Sequence, residues 1–225
     1  MTIVKLNSFR NTYGPTEDSH KRFVENAVRL IEDTVNQASF INAVKEYPFT
    51  VRRFHTDDDG IFISPTNDMI IDKIISGKER QTDPDDSIDL EIELMGLGDD
   101  ETGRVSPPSP AIALNTKHFV GWYGNGDLAI LASTIMHEWM HVCGFRHASG
   151  DIDNDDVPYG IGKLVFEFAG GSSIMSPLGF AKRIFNSKIR RQRRMYKDAV
   201  RGLRTDVYEG LPSSHLPMSD NDSLQ

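Results

Sequence analysis

The sequence predicts an α+β domain. Three stretches carry that expectation: a helical periodicity from Ser19 to Phe40, a strict alternation from Ile88 to Leu94, and an apolar helix from Leu128 to about Cys143. Strand-period and helix-period segments occur apart along the chain, as in a fold that packs helices on a sheet.

In the first stretch, Phe23, Ala27, Leu30, Ile31, Thr34, Val35 and Ala38 recur at helical spacing, and Lys21, Arg22, Glu25, Glu32 and Asp33 fill the other surface. That is an amphipathic helix packed on a sheet or another helix. Phe49 to Phe54 reads as extended, and the Asp57-Asp58-Asp59-Gly60 turn leads into a short strand at Ile61 to Ile63. Met69 to Ile75 fits either a short helix or a strand. Ile88, Leu90, Ile92 and Leu94 alternate with Asp89, Glu91 and Glu93, which predicts one buried and one wet face. After a Ser/Pro loop at Ser106 to Pro110, Ala111 to Val120 reads as another extended stretch, broken by Gly124-Asn125-Gly126. Asp127 is an N-cap candidate for the helix from Leu128, and Gly144 suits its C-terminal end. A further helix is expected from about Leu178 to Leu203, followed by a polar tail from Pro212 to Gln225.

The 225 residues are 38% apolar and 26% charged, enough for a real core and unlike a disordered chain. A net charge of −8 disfavours a globally basic nucleic-acid binder. The single cysteine, Cys143, excludes a disulfide framework and a cysteine-rich zinc module, and reads as a packing residue of its helix. The opening MTIVKLNSFRNTYG leads into no apolar signal segment, and there is no run of 18 apolar residues to span a membrane. Cytoplasmic residence is the simplest expectation, with export by a leaderless route as the alternative.

The chemistry concentrates in His137-Glu138-Trp139-Met140-His141-Val142-Cys143-Gly144-Phe145-Arg146-His147. On a helix, His137 and His141 share one face and can hold one metal ion. Gly144 lets the backbone turn sharply, so that His147 can swing back as a third ligand. Three imidazoles leave a zinc ion one position for water, as a catalytic site requires. Glu138 can reach that water as general base and return the proton to a leaving amine. A histidine–glutamate–histidine match occurs by chance in ordinary helices; the third histidine and the glycine add independent constraints.

With these residues the sequence resembles the metzincin clan of zinc metallopeptidases: His137, Glu138, His141, Gly144 and His147 match its long zinc signature at every defining position. Ser173-Ile174-Met175-Ser176 resembles the clan's Met-turn, with Met175 28 residues after His147. The zinc motif and turn look like those of astacin and serralysin enzymes. Yet Pro177 stands where those enzymes often carry a tyrosine, and Ala148 where several subfamilies carry an acid or serine. The resemblance is therefore to the clan, as an unusual microbial member.

The resemblance implies one metallopeptidase domain over residues 1–211, with an upper part of about 1–144 and a lower part of about 145–211 across a cleft. It implies a twisted mixed sheet with an antiparallel edge strand, placed at about Ala111 to Val120, that pairs with an extended peptide substrate. It also implies Met175 beneath the zinc ligands, Leu178 and Phe180 as candidates for the S1′ border, and zinc-dependent endopeptidase activity. The alternatives are a catalytically inactive binding protein of this fold and a zinc hydrolase of a non-protein amide.

Asp151-Ile152-Asp153-Asn154-Asp155-Asp156 reads as an acidic surface loop, with a Ca2+ site as the second reading. His20, His55, His118 and His215 read as surface or locally hydrogen-bonded residues. Arg190, Arg191, Arg193 and Arg194 read as a solvated helix face, and no nucleic-acid partner is expected.

Overall fold

A four-stranded mixed sheet, a smaller three-stranded sheet and six helices make up the residues that the computed structural model describes: 1–12, 17–50, 52–55, 62–79, 83–106, 109–147 and 155–171. All of them fall within the unit Met1–Phe185. The acids at 151–154, Ala148, the Met-turn segment with Met175, Leu178 and Phe180, the expected C-terminal helix with its arginines, and the tail with His215 lie outside the described residues.

The larger sheet runs β1 (Ile3–Asn11), β4 (Ser87–Met95), β6 (Ile112–Asn115), β5 (Gly103–Val105). β1 and β6 flank β4 in parallel, and β5 pairs antiparallel with β6 at the far edge. β4 is thus interior. Ile88, Leu90, Ile92 and Leu94 are buried as the alternation requires, but Asp89, Glu91 and Glu93 are half-buried instead of wet, and Glu93 meets Arg10 of β1 at 3.2 Å. β1 has no counterpart in the sequence reading. Its register slips between Leu6 and Ser8, so the apolar positions Leu6 and Phe9 fall three apart and the alternation is broken.

The expected edge strand at Ala111 to Val120 is corrected in two ways. Only Ile112–Asn115 is strand, and it is an interior strand; the antiparallel edge belongs to β5. The chain turns helical at Thr116 because the Asn115 side chain accepts the Lys117 N–H at 3.1 Å and caps α4 (Thr116–Asn125). Phe119 and Trp122 are buried at helical spacing, and Gly126 ends the helix with φ +73°.

The helical stretch expected over Ser19 to Phe40 is two helices, α1 (Asp18–Val35) and α2 (Ala38–Glu46). The break is held by Asn36, whose side-chain amide accepts from the Thr2 N–H and donates to the Thr2 carbonyl, both at 2.8 Å. α1 packs on β1 and α5 through Val24, Ala27, Val28 and Ile31; α2 turns instead to α3 and α6, with Phe40 edge-on to Phe168 at 5.7 Å. The ambiguous segment at Met69 to Ile75 is helix α3 (Asn67–Ser76), capped by Thr66 and ended by Gly77 at φ +61°.

α5 (Leu128–Val142) is buried nearly all round, which makes it the central helix of the fold. Trp139 is fully buried, and its indole N–H donates to Glu79 Oε1 at 3.0 Å; the same oxygen accepts the Asp89 N–H of β4 at 3.1 Å. One buried carboxylate so ties α5 to the sheet and satisfies the indole, while the ring contributes its apolar area. Against α5 lies α6 (Val157–Phe168), a helix with no counterpart in the sequence reading. Gly162 lets it approach closely: a Cβ there would stand 3.1 Å from the Ser133 carbonyl oxygen and 3.3 Å from His137 Cβ. The second sheet, β3 (Phe62–Ile63), β2 (Arg53–His55) and β7 (Phe145–Arg146), is antiparallel. No helix among the described residues is long and apolar enough to cross a membrane.

Candidate metal centre

His137 and His141 sit one turn apart on α5, and their ring centroids are 5.1 Å apart. α5 stops at Gly144, whose φ of +108° is open to glycine and strained for other residues. The Gly144 carbonyl accepts the His55 N–H at 3.0 Å, so the chain leaves the helix directly as β7 and returns His147 to the two helical histidines. The His147 ring then lies 4.6 Å from that of His141 and 5.1 Å from that of His137. One nitrogen from each of the three lies within 4.8 Å of the others.

The outer face of each imidazole is tethered. His141 Nδ1 lies 2.8 Å from the Phe145 carbonyl oxygen, and His147 Nδ1 lies 2.6 Å from Asp156 Oδ2. His137 makes a backbone hydrogen bond at Pro158. Carbonyls and carboxylates only accept, so Nδ1 of His141 and of His147 must carry the proton. Their Nε2 atoms are therefore bare in the neutral rings, and they face each other at 3.1 Å. Burial, then the neighbouring histidines, pushes His137 well below the usual imidazole range. His141 is lowered to about 3 by burial, then by His147 and Arg146, against the opposing Phe145 hydrogen bond.

Two lone pairs facing each other in a buried site repel unless a cation lies between them. Two nitrogens bound tetrahedrally at zinc distances are about 3.3 Å apart, close to the separation here. The donor set and its tethering fit a divalent metal.

Glu138 follows His137 and is 4% exposed. Its pKa is raised to about 8, first by burial and then by Glu101. β5 closes over it, with Gly103 placed so that no Cβ meets the carboxylate. Tyr159 of α6 adds a wall: its ring stands 4.5 Å from that of His137 and 4.8 Å from that of His147. Burial, then Asp156 and Glu138, raise its hydroxyl to about 12, so it stays protonated at neutral pH.

The structure brings together His137, His141 and His147, sets Glu138 beside them and gives Gly144 its turning role. Asp156, read from the sequence as part of an acidic surface loop, is fully buried and faces His147, while Asp155 Oδ1 accepts the Tyr47 hydroxyl at 2.7 Å. Among the described residues, no second group of acidic, cysteine or histidine side chains converges as the triad does. His118 lies on α4, with Nε2 3.2 Å from the Asp99 carbonyl oxygen and its ring stacked on Trp122. His20 lies edge-on to Phe119 and Tyr123. Sequence reasoning missed Asp156, Tyr159 and Gly103. Asp156 followed by Pro158 is a helix-start signal, but nothing local says that this helix would face His147. No protein-family model, curated protein or solved structure matches the chain.

Proposed function

We propose that the chain is a zinc-dependent endopeptidase of the metzincin type. The observation that carries this reading is the convergence of three tethered imidazoles, two with Nε2 atoms facing each other at 3.1 Å, beside a buried carboxylate on the same helix. A zinc ion held by His137, His141 and His147 would polarise a scissile carbonyl and acidify water.

The residues divide the remaining work. Glu138 is placed by its helix one residue from a ligand, where it accepts the proton of attacking water and passes it to the departing amine. Trp139, anchored on Glu79, and Gly103 over the carboxylate hold the base in place. Among the described residues β5 pairs with the sheet on one side only, an arrangement that suits strand addition by an extended peptide chain. Met175 is assigned to the turn beneath the ligands, and Leu178 and Phe180 to the S1′ border, on the sequence resemblance alone.

The deciding experiment incubates the zinc-loaded chain with a diverse peptide library and maps products by mass spectrometry. Internal cleavage that disappears in Glu138→Gln supports the endopeptidase. Zinc binding without cleavage of any peptide leaves the binding protein or the hydrolase of a non-protein amide.

A further inference from the structure

Asp156 carries out two tasks with two oxygens. Oδ2 lies 2.6 Å from His147 Nδ1, and Oδ1 accepts the Tyr159 backbone N–H at 3.0 Å, capping α6. Its own carbonyl accepts the Gly160 N–H at 2.7 Å. The turn held in this way presents the Pro158 backbone to His137 and the Tyr159 ring to both His137 and His147.

We propose that Asp156 is a positioning residue of the metal centre, fixing His147 in the tautomer that offers Nε2 to a metal and anchoring the α6 turn that braces His137. The proposal rests on the metal-centre reading given above. It adds that a ligand's outer partner lies nine residues further along the chain and that the same side chain starts the helix packed on α5.

The chemistry separates the two tasks. Asn caps a helix about as well as Asp. In Asp156→Asn the amide oxygen must face the Tyr159 N–H to keep the cap, which turns the NH2 toward His147 Nδ1. A donor at that place favours the opposite imidazole tautomer, with the proton on Nε2 and no lone pair for a metal. If Asp156 were only a cap, the substitution would be silent at the metal centre.

The test compares the full-length wild type, D156N and D156A. Apo protein is titrated with zinc against a chromophoric chelator, and apo melting is followed in parallel. D156N should lose roughly 10–100-fold in zinc affinity and melt within about 2 °C of wild type, because its cap survives. D156A should lose zinc affinity and also melt roughly 2–4 °C lower, as the cap is lost. In the zinc-loaded wild type, proton NMR should show the His147 Nδ1–H far downfield against the carboxylate, and that signal should leave its position in D156N. Wild-type zinc affinity in D156N would reduce Asp156 to a cap and overturn the proposal. So would a zinc-loaded wild type whose His147 Nδ1 bears no proton, a measurement that needs no variant to fold. A wild type that binds zinc no better than His141→Ala would overturn the metal centre itself, which is a distinct failure.

Discussion

Gly103 of β5 lies so close to Glu138 of α5 that a Cβ at position 103 would stand 2.9 Å from both Cγ and Oε1 of the glutamate. The edge strand is in van der Waals contact with the carboxylate assigned as general base, and only the missing side chain makes room for it. Gly103→Ala should push the carboxylate out of place. Overpacking of this kind costs about 1–3 kcal/mol of stability, and a misplaced base should lower turnover by roughly tenfold or more. The nearest atoms to a Cβ at position 103 all belong to Glu138 and none to a histidine, so zinc content should persist. Steady-state cleavage with metal analysis checks this; an alanine variant that cleaves like wild type would show that the contact does not position the base.

Glu138→Gln keeps the shape of the side chain and removes the carboxylate. Turnover should fall by at least roughly 10²-fold with zinc content unchanged. The pairing of readouts matters, because loss of zinc together with activity would make Glu138 a support of the ligands instead of a base.

Zinc should stabilise the native chain by mass action. At 100 times the dissociation constant the gain is about 2.7 kcal/mol, which for a chain of this size raises the melting midpoint by roughly 5–10 °C. In His141→Ala the shift should vanish, since the triad loses the nitrogen that faces His147 at 3.1 Å. An equal shift in the variant would place the metal elsewhere.

Stability of the metal-free chain should depend on pH in two opposed ways. His137 and His141 titrate below the ordinary 6.5, so the unfolded chain binds protons that the folded chain refuses, and stability is lost as pH falls from 6.5 toward about 3. Glu138 titrates above the ordinary 4.5, so the folded chain holds its proton longer, and stability is lost as pH rises from 4.5 to about 8. Two groups oppose one between 4.5 and 6.5, and Glu138 acts alone above that, so these groups place a maximum near pH 6.5. Melting curves across this range, with metal removed, should show the alkaline decline in wild type and its loss in Glu138→Gln. A wild-type midpoint climbing steadily from pH 5 to pH 8 would contradict the upward shift of Glu138 by burial.

Much of the site was legible because its rules are local. A spacing of four on a helix places His137 and His141 on one face, and Gly144, at a φ of +108°, permits the turn that His147 needs. The alternation of β4 and the apolar run of α5 follow from the same short-range periodicity. The sequence left undetermined whatever depends on which elements meet. The strand expected at Ala111 to Val120 became an interior strand followed by a helix, because Asn115 caps α4 and β5 takes the edge. β1 stayed hidden behind a bulge that breaks its period. Asp156 could be recognised as the start of a helix, but the partner of its second oxygen depends on α6 packing against α5 through Gly162. Glu138's raised pKa likewise comes from burial beneath a strand distant in sequence and from the charge of Glu101. Residue spacing determined which side chains could act as ligands. Tertiary packing determined their tautomers, their charge and their neighbours, because desolvation and hydrogen-bond pairing belong to the assembled interior and leave no local pattern in the chain.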